Sequence, residues 1–98
     1  MNELLNYMES WYRESEESLK ARGLKVFISP TSENAKPSRY IDIESNSKFG
    51  RLVVWASGEA EIQIENFNVA TTESISTLTL RTREDVTQAL SKLVKNIE

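Results

Sequence analysis

Two stretches of the chain, one near each end, repeat their apolar residues at helical spacing. Between residues 2 and 22 the apolar side chains recur at intervals of three, four and eight, at Leu4, Met8, Trp11 and Leu19, with Leu5 and Tyr12 beside them. In the C-terminal stretch the intervals are three, one, three, one and three, at Val86, Ala89, Leu90, Leu93, Val94 and Ile97. Asn2 suits the N-cap of the first helix, and Gly23 suits its left-handed closing residue. Thr82 and Asp85 have the spacing of a capping box for the second helix.

Between the two helices the pattern changes to the alternation of apolar and polar residues that is typical of strands. It predicts strands at 24–29, 39–44, 49–56 and 59–66, and a weaker fifth strand at 75–81. Residues 30–37 are rich in turn formers, and residues 70–74 break the alternation. The predicted fold is a two-layer α+β domain, in which an antiparallel five-strand meander carries an N-terminal and a C-terminal helix packed on one face. No repeat or linker divides residues 1–98, so we predict a single domain.

The registers of the hairpins follow from the parity of the apolar positions. Leu52 and Val54 must share a face with Ile62 and Ile64, so the loop between these strands has an odd length. A three-residue loop that ends in a left-handed Gly58 satisfies this condition. Applied to the preceding pair of strands, the argument predicts a turn of two or four residues between Ser45 and Phe49. The predicted core is Leu4, Met8, Trp11, Val26, Ile28, Ile41, Ile43, Leu52, Val54, Ile62, Ile64, Leu80, Val86, Leu90, Leu93 and Val94.

The opposite face of the predicted sheet mixes aromatic residues with carboxylates, which is unusual for a sheet face that only meets water. It carries Lys25, Phe27, Tyr40, Asp42, Glu44, Phe49, Arg51, Val53, Trp55, Glu59, Glu61, Gln63 and Glu65. Clustered aromatic residues with a polar rim are typical of protein interfaces. The alternatives are cover by a second copy of the chain or by a loop of the same chain. We predict a partner-binding set of Trp55, Tyr40, Arg51, Asp42, Glu44 and Glu61. The competing site is the acidic outer face of the first helix, with Glu9, Glu14, Glu16 and Glu17.

Composition excludes several chemical classes. The chain has no cysteine and no histidine, which removes disulfides, zinc fingers, thiol nucleophiles and histidine bases. Its three glycines form neither a phosphate loop nor a dinucleotide fingerprint. Asp42 and Glu44 point to the same side of a strand and could bind a cation or act as an acid–base pair, but ion pairing with Arg51 is the simpler interpretation. We therefore expect no catalytic residues, cofactor or metal, and the protein is not expected to be an enzyme.

Charge and hydropathy bear on the possible partners. Twelve basic and fifteen acidic residues give a net charge of −3, which argues against nucleic acid as the main partner. The cations that could contact phosphate are Lys20, Arg22, Lys36 and Arg39. No apolar run approaches the roughly 20 residues that span a membrane, so no membrane partner is expected. The acid at Glu3 does not fit a secretory signal.

The third and fourth strands carry a family resemblance. The stretches Asp-Ile-Glu-Ser at 42–45, Gly-Arg-Leu-Val-Val-Trp at 50–55 and Ser-Gly-Glu at 57–59 resemble the TriTu family of bacterial immunity proteins, as does the acidic first helix with Trp11. The resemblance covers residues 8–65 and is poor at 66–81. It implies a non-enzymatic cytoplasmic protein that binds and neutralises one cognate toxin of a polymorphic toxin system, in competition between bacteria. Toxins that attack nucleic acid carry basic clefts, which an acidic aromatic surface would suit.

A second function class fits the same composition. A small acidic secretion chaperone, binding an extended segment of an effector, would also be an α+β domain, but it would form a stable dimer. For the inhibitor we expect a monomer or a weak homodimer.

Overall fold

The computed structural model describes residues 3–32, 35–67 and 72–98, which form two helices and five strands. Helix α1 covers Glu3–Ala21 and helix α2 covers Arg83–Ile97. The strands are β1 Lys25–Ile28, β2 Ser38–Glu44, β3 Lys48–Trp55, β4 Glu59–Asn66 and β5 Thr72–Thr79. The predicted N-cap Asn2 lies outside the described residues. Thr82 accepts a hydrogen bond from the Asp85 amide while Asp85 accepts one from the Thr82 amide, so the predicted capping box is confirmed.

The five strands form one antiparallel meander in the order β1-β2-β3-β4-β5, with both helices on the same face. Helix α1 packs mainly on β1, and α2 packs mainly on β3. The side chains that alternate toward the helices are buried, including Ile41, Ile43, Leu52 and Val54. The α+β fold class predicted from the sequence is therefore confirmed. We call the helix-free side of the sheet the open face; its residues are those that the strand parities placed opposite the core.

The buried stripe of α1 agrees with the predicted one except at its first position. Leu5 is fully buried together with Met8, whereas Leu4 is only partly buried, because the stripe runs through Leu5, Met8 and Trp11. On β1, Val26 and Ile28 are half-buried rather than core, since this strand lies at the sheet edge and has a neighbour on one side only. Six hydrophobic residues omitted from the predicted core list are buried: Leu5, Leu19, Leu24, Ala60, Ala89 and Ile97.

Arg39 joins α1 to the sheet at one end of the core. Its side chain is 11% exposed. The guanidinium donates to the backbone carbonyls of Ser29 at 2.8 Å and Leu5 at 3.2 Å, and to the Glu9 carboxylate at 2.7 Å. Hydrogen bonds from Arg39 and Arg13 lower the pKa of Glu9. A buried charge is tolerated only when it is paired in this way, so Arg39 is a structural residue.

The β3–β4 hairpin has the predicted three-residue loop. Val54 pairs with Ala60, Gly58 donates its amide to the Trp55 carbonyl at 2.9 Å, and Gly58 has φ of +96°. At the β2–β3 turn, Glu44 pairs with Phe49, and the Ser45 amide donates to the Lys48 carbonyl at 2.8 Å. Both parity predictions are thus confirmed, and they determine which side chains reach the open face.

Gly58→Ala is expected to destabilise the protein more than Gly23→Ala. Both glycines have positive φ, so each alanine meets the left-handed strain of about 1–2 kcal/mol. At Gly58 a Cβ would also lie 2.5 Å from the Leu80 carbonyl oxygen, whereas at Gly23 it would meet nothing within 4 Å. Backbone cannot rotate away as a side chain can, so we expect an excess of about 1–3 kcal/mol at Gly58. Urea denaturation of both variants measures the difference in their free energies of unfolding. Equal losses of stability in the two variants would contradict this account.

Gly50 lets side chains of α2 pack directly against the backbone of β3. It lies between Ile43 and Ile64 on the helix side, and a Cβ there would lie 2.6 Å from Leu93 Cδ1 and 2.8 Å from Ile97 Cδ1. Both contacts are with ends of side chains rather than with backbone. The glycine of the Gly-Arg-Leu-Val-Val-Trp stretch therefore has a packing role that alternation alone did not reveal.

Gly50→Ala is expected to lower the free energy of unfolding by about 1–3 kcal/mol, because α2 must shift or its side chains must leave their rotamers. Shortening one neighbour should relieve the strain, so adding Ile97→Val should cost less in the Gly50→Ala background than in the native protein. A double-mutant cycle by chemical denaturation checks this. Strictly additive losses would show that Gly50 is not crowded by α2.

The fifth strand differs from the prediction. It covers Thr72–Thr79 rather than 75–81, and residues 72–74, which were predicted to break the pattern, belong to it. The remainder of that predicted break, residues 70 and 71, lies outside the described residues. Strand β5 pairs with β4 from Glu59 opposite Thr79 to Glu65 opposite Thr72, with a register shift at Ile64 and Glu65. Pairing with β4 therefore extends the strand into a segment that has no apolar alternation.

Candidate protein-binding site

The strand registers arrange the open face in rows that run across the sheet. One row is Tyr40, Val53, Glu61 and Thr77, and the next is Phe27, Asp42, Arg51, Gln63 and Ile75. On either side of these two rows lie Ser38, Trp55, Glu59 and Thr79, and then Lys25, Glu44, Phe49 and Glu65. All six predicted site residues are therefore on one surface. The rows of Trp55 and Glu44 are roughly 20 Å apart along the strands, at about 3.3 Å per residue.

Arg51 is the centre of a compact cluster. It forms a bidentate ion pair with Asp42 on the neighbouring strand, with Nε–Oδ1 at 2.7 Å and Nη2–Oδ2 at 3.0 Å. Its guanidinium carbon lies 4.1 Å from the centroid of the Tyr40 ring and 5.8 Å from that of Phe49. The hydrogen bond that Arg51 donates to Asp42 is the largest cause of the raised pKa of Arg51. The bidentate ion pair with Asp42 and the stacking on Tyr40 together restrict the conformation of the Arg51 side chain. This part of the face is therefore ordered before a partner binds.

Glu44 does not share this ion pair. The prediction that both Asp42 and Glu44 pair with Arg51 is correct for Asp42 and wrong for Glu44, which lies across from Phe49 and Lys25. Within residues 3–32, 35–67 and 72–98, the Glu44 carboxylate makes no hydrogen bond or ion pair. Two-residue spacing puts Asp42 and Glu44 on one side of β2, but only Asp42 is level with Arg51.

Trp55 lies at the other end of the face, beside a lysine and a carboxylate. Lys36, in the loop before β2, places its ammonium 5.7 Å from the centroid of the Trp55 ring and 3.2 Å from Glu59 Oε1. The backbone holds this loop against the hairpin, because the Ala56 amide donates to the Pro37 carbonyl at 2.8 Å. The hydrogen bond from Lys36 is the largest cause of the lowered pKa of Glu59.

Sequence reasoning omitted two strongly exposed apolar residues from the site. Phe27 is 52% exposed and Ile75 is 58% exposed, and they lie at opposite ends of the row that contains Arg51. The Phe27 ring is 6.2 Å from the Tyr40 ring, tilted by 45°. Phe27 could have been found, because its parity placed it on this face. The side of Ile75 could also have been found, because Leu80 was placed in the core and alternation along the strand puts Ile75 on the opposite face.

The open face therefore combines a stacked aromatic–arginine cluster with five carboxylates, Asp42, Glu44, Glu59, Glu61 and Glu65, against two cations in the strands, Lys25 and Arg51. A family model for the immunity protein TriTu matches residues 6–96. The chain belongs to the TriTu immunity protein family. The match extends through β5 and α2, beyond the 8–65 stretch that carried the resemblance in the sequence. A comparison with curated proteins finds no match.

In this TriTu family member, the acidic outer face of α1 is partly neutralised by its own cations. Glu9 is paired with Arg13 at 2.8 Å and with Arg39, while Glu16 is paired with Lys20 at 2.9 Å and accepts a hydrogen bond from Tyr12. These contacts lower the pKa of both carboxyls, with Arg39 the largest cause for Glu9 and Lys20 for Glu16. Neither Glu14 nor Glu17 makes a hydrogen bond or an ion pair in the described part of the chain. The competing site thus has two such carboxylates, as the open face does with Glu44 and Glu61, but in the described residues it has no aromatic side chain as exposed as Phe27.

The four cations considered for nucleic-acid contact are each beside a carboxylate: Lys20 with Glu16, Arg22 with Glu98, Lys36 with Glu59 and Arg39 with Glu9. These four cations therefore do not form a basic patch that is free of carboxylates. Among the described residues, no group of three or more acidic side chains is arranged to hold a metal ion. Neither helix in the described ranges is both long and apolar enough to cross a membrane.

Proposed function

We propose that the protein neutralises a cognate bacterial toxin by binding it stoichiometrically through the open face of the sheet, without catalysis and in the cytoplasm of the producing cell. Membership of an immunity protein family supports the role. The observation that carries the choice of surface is the aromatic and acidic composition of a face that neither helix covers.

The physical argument rests on how protein interfaces gain affinity. Large, stiff side chains such as Trp55 and Tyr40 bury much area at a small entropy cost, so they act as hot spots. The Asp42–Arg51 pair holds Tyr40 in place, which reduces the ordering cost on association. The surrounding carboxylates make the electrostatic potential at this surface negative.

The negative potential of the open face predicts the charge of the partner's contact surface. Five carboxylates against two cations favour a toxin whose contact surface is basic, as the substrate cleft of a nucleic-acid-degrading toxin is. Electrostatic attraction then accelerates encounter, and the acceleration falls as salt rises. An inhibitor that must act before the toxin does damage benefits most from a fast association rate.

Co-expression with the toxin domain encoded beside this gene tests the proposal. The protein should restore growth, and the two purified proteins should elute together as a complex with equal numbers of each chain, by sizing chromatography with light scattering. Restored growth without a complex would contradict inhibition by binding. A stable dimer that binds only an extended, non-toxic segment of the neighbouring protein would instead favour the secretion chaperone.

A further inference from the structure

A shallow depression of about 390 Å³ lies beside Trp55 on the open face. Its polar walls are the carboxylates of Glu59 and Glu61, and Thr77 and Thr79 of β5 border it on the far side. Trp55 of β3 lines the near side. An aromatic ring beside two carboxylates and two hydroxyl-bearing residues is a suitable environment for a side chain that is cationic at its tip and apolar along its stem.

The chain itself shows that a cation is accepted next to this depression. Lys36 reaches past Trp55 to Glu59, and its ammonium is within cation–π distance of the ring. Both partners of the ion pair are mostly exposed, at 56% for Lys36 and 63% for Glu59, so the pair is weak and readily exchanged. Lys36 is not part of the wall of the depression.

Glu61 remains unmatched in the free protein. It lies across from Val53 on one side and Thr77 on the other, neither of which carries charge. Within the described ranges its carboxylate makes no hydrogen bond or ion pair. The depression therefore has one carboxylate occupied by Lys36 and one that is available.

We propose that the depression receives a single arginine or lysine side chain of the bound toxin, which pairs with Glu61 and lies along Trp55, and that Lys36 competes with it for Glu59. Only the identity of the donor protein rests on the proposed function; the affinity for a cationic side chain is a property of this chain alone. An arginine fits best, since its planar fork can bond a carboxylate and a threonine hydroxyl while it stacks on the indole.

The test uses the purified protein, labelled with ¹⁵N, and acetyl-arginine-amide as the probe. The indole N–H of Trp55 reports on the depression, and that of Trp11, which lies on the buried side of α1, is an internal reference. Titration to about 300 mM is needed, because one exposed ion pair and one cation–π contact imply a Kd of roughly tens of millimolar. Neutral acetyl-citrulline-amide, with sodium chloride added to match ionic strength, has nearly the same shape and is the matched probe.

We expect a saturable shift of the Trp55 signal with the arginine probe and a shift several times smaller with citrulline. Lys36→Gln should tighten binding about threefold, as expected for removing one exposed competitor. Lys25→Gln removes a cation from the far end of the same face and should change the affinity for the arginine probe less. Glu61→Gln should weaken binding about threefold. Equal shifts for the two probes, or equal effects of Lys36→Gln and Lys25→Gln, would overturn the proposal. Because no toxin is present, neither result can be confused with failure of the immunity role.

Discussion

Leu90→Ala is expected to lower the free energy of unfolding by about 2–5 kcal/mol, the range for emptying a well-packed core site. Leu90 is fully buried in the middle of α2, the helix that covers the centre of the sheet. Neighbouring side chains can collapse only partly into the space, since α2 is already close to β3 at Gly50. For a protein with a total stability of about 5–15 kcal/mol, this loss is severe.

Gln88→Ala is the matched control for this substitution. Gln88 is exposed on the same helix, two residues away, so its truncation should change stability by less than about 0.5 kcal/mol. Urea denaturation followed by circular dichroism measures both variants. Similar midpoints for Leu90→Ala and Gln88→Ala would mean that α2 does not dock on the sheet as described.

Trp55→Ala combined with Glu61→Lys is expected to abolish protection against the cognate toxin while the protein stays folded. Truncating an aromatic hot spot costs about 2–4 kcal/mol of binding, or roughly 30- to 1,000-fold in Kd. Reversing the charge at Glu61 adds repulsion toward a basic partner. Both residues are on the open face, outside the core, so unfolding is not expected. Growth rescue in cells that express the toxin is the readout, with circular dichroism to check the fold.

The control for that experiment changes the competing surface by the same kind of charge reversal. Glu14→Lys with Glu17→Lys alters two unpaired carboxylates on the outer side of α1 and leaves the sheet unchanged. This variant should still protect. If it fails while the Trp55 and Glu61 variant protects, the toxin binds α1 and the choice of surface is wrong.

The hairpin register was predictable because both strands had to bury alternate residues. Leu52, Val54, Ile62 and Ile64 all have even numbers, and only an odd loop keeps them together. The same constraint placed the six site residues on one face without any coordinates. Where alternation is strong, a sequence determines which side a residue faces, and hence which surface it belongs to.

The features that sequence reasoning missed depend on contacts between elements. The start of β5 depends on pairing with β4, since Thr72 and its neighbours carry no apolar pattern of their own. The role of Gly50 depends on how closely α2 approaches, which Leu93 and Ile97 show only once the helix is docked. Choosing Asp42 over Glu44 as the partner of Arg51 required the β2–β3 register residue by residue.

The most direct test of the central claim is to locate the surface at which the toxin contacts the protein. In a cross-saturation experiment, the protons of the unlabelled toxin are irradiated and the signal loss is read on a deuterated, selectively labelled copy of this protein. We predict the largest losses at the Trp55 indole and at the methyl groups of Val53 and Ile75, which lie on the open face, and little loss at the Ala21 methyl of α1. Losses concentrated at Ala21, with Trp55 and Val53 unaffected, would contradict binding through the open face.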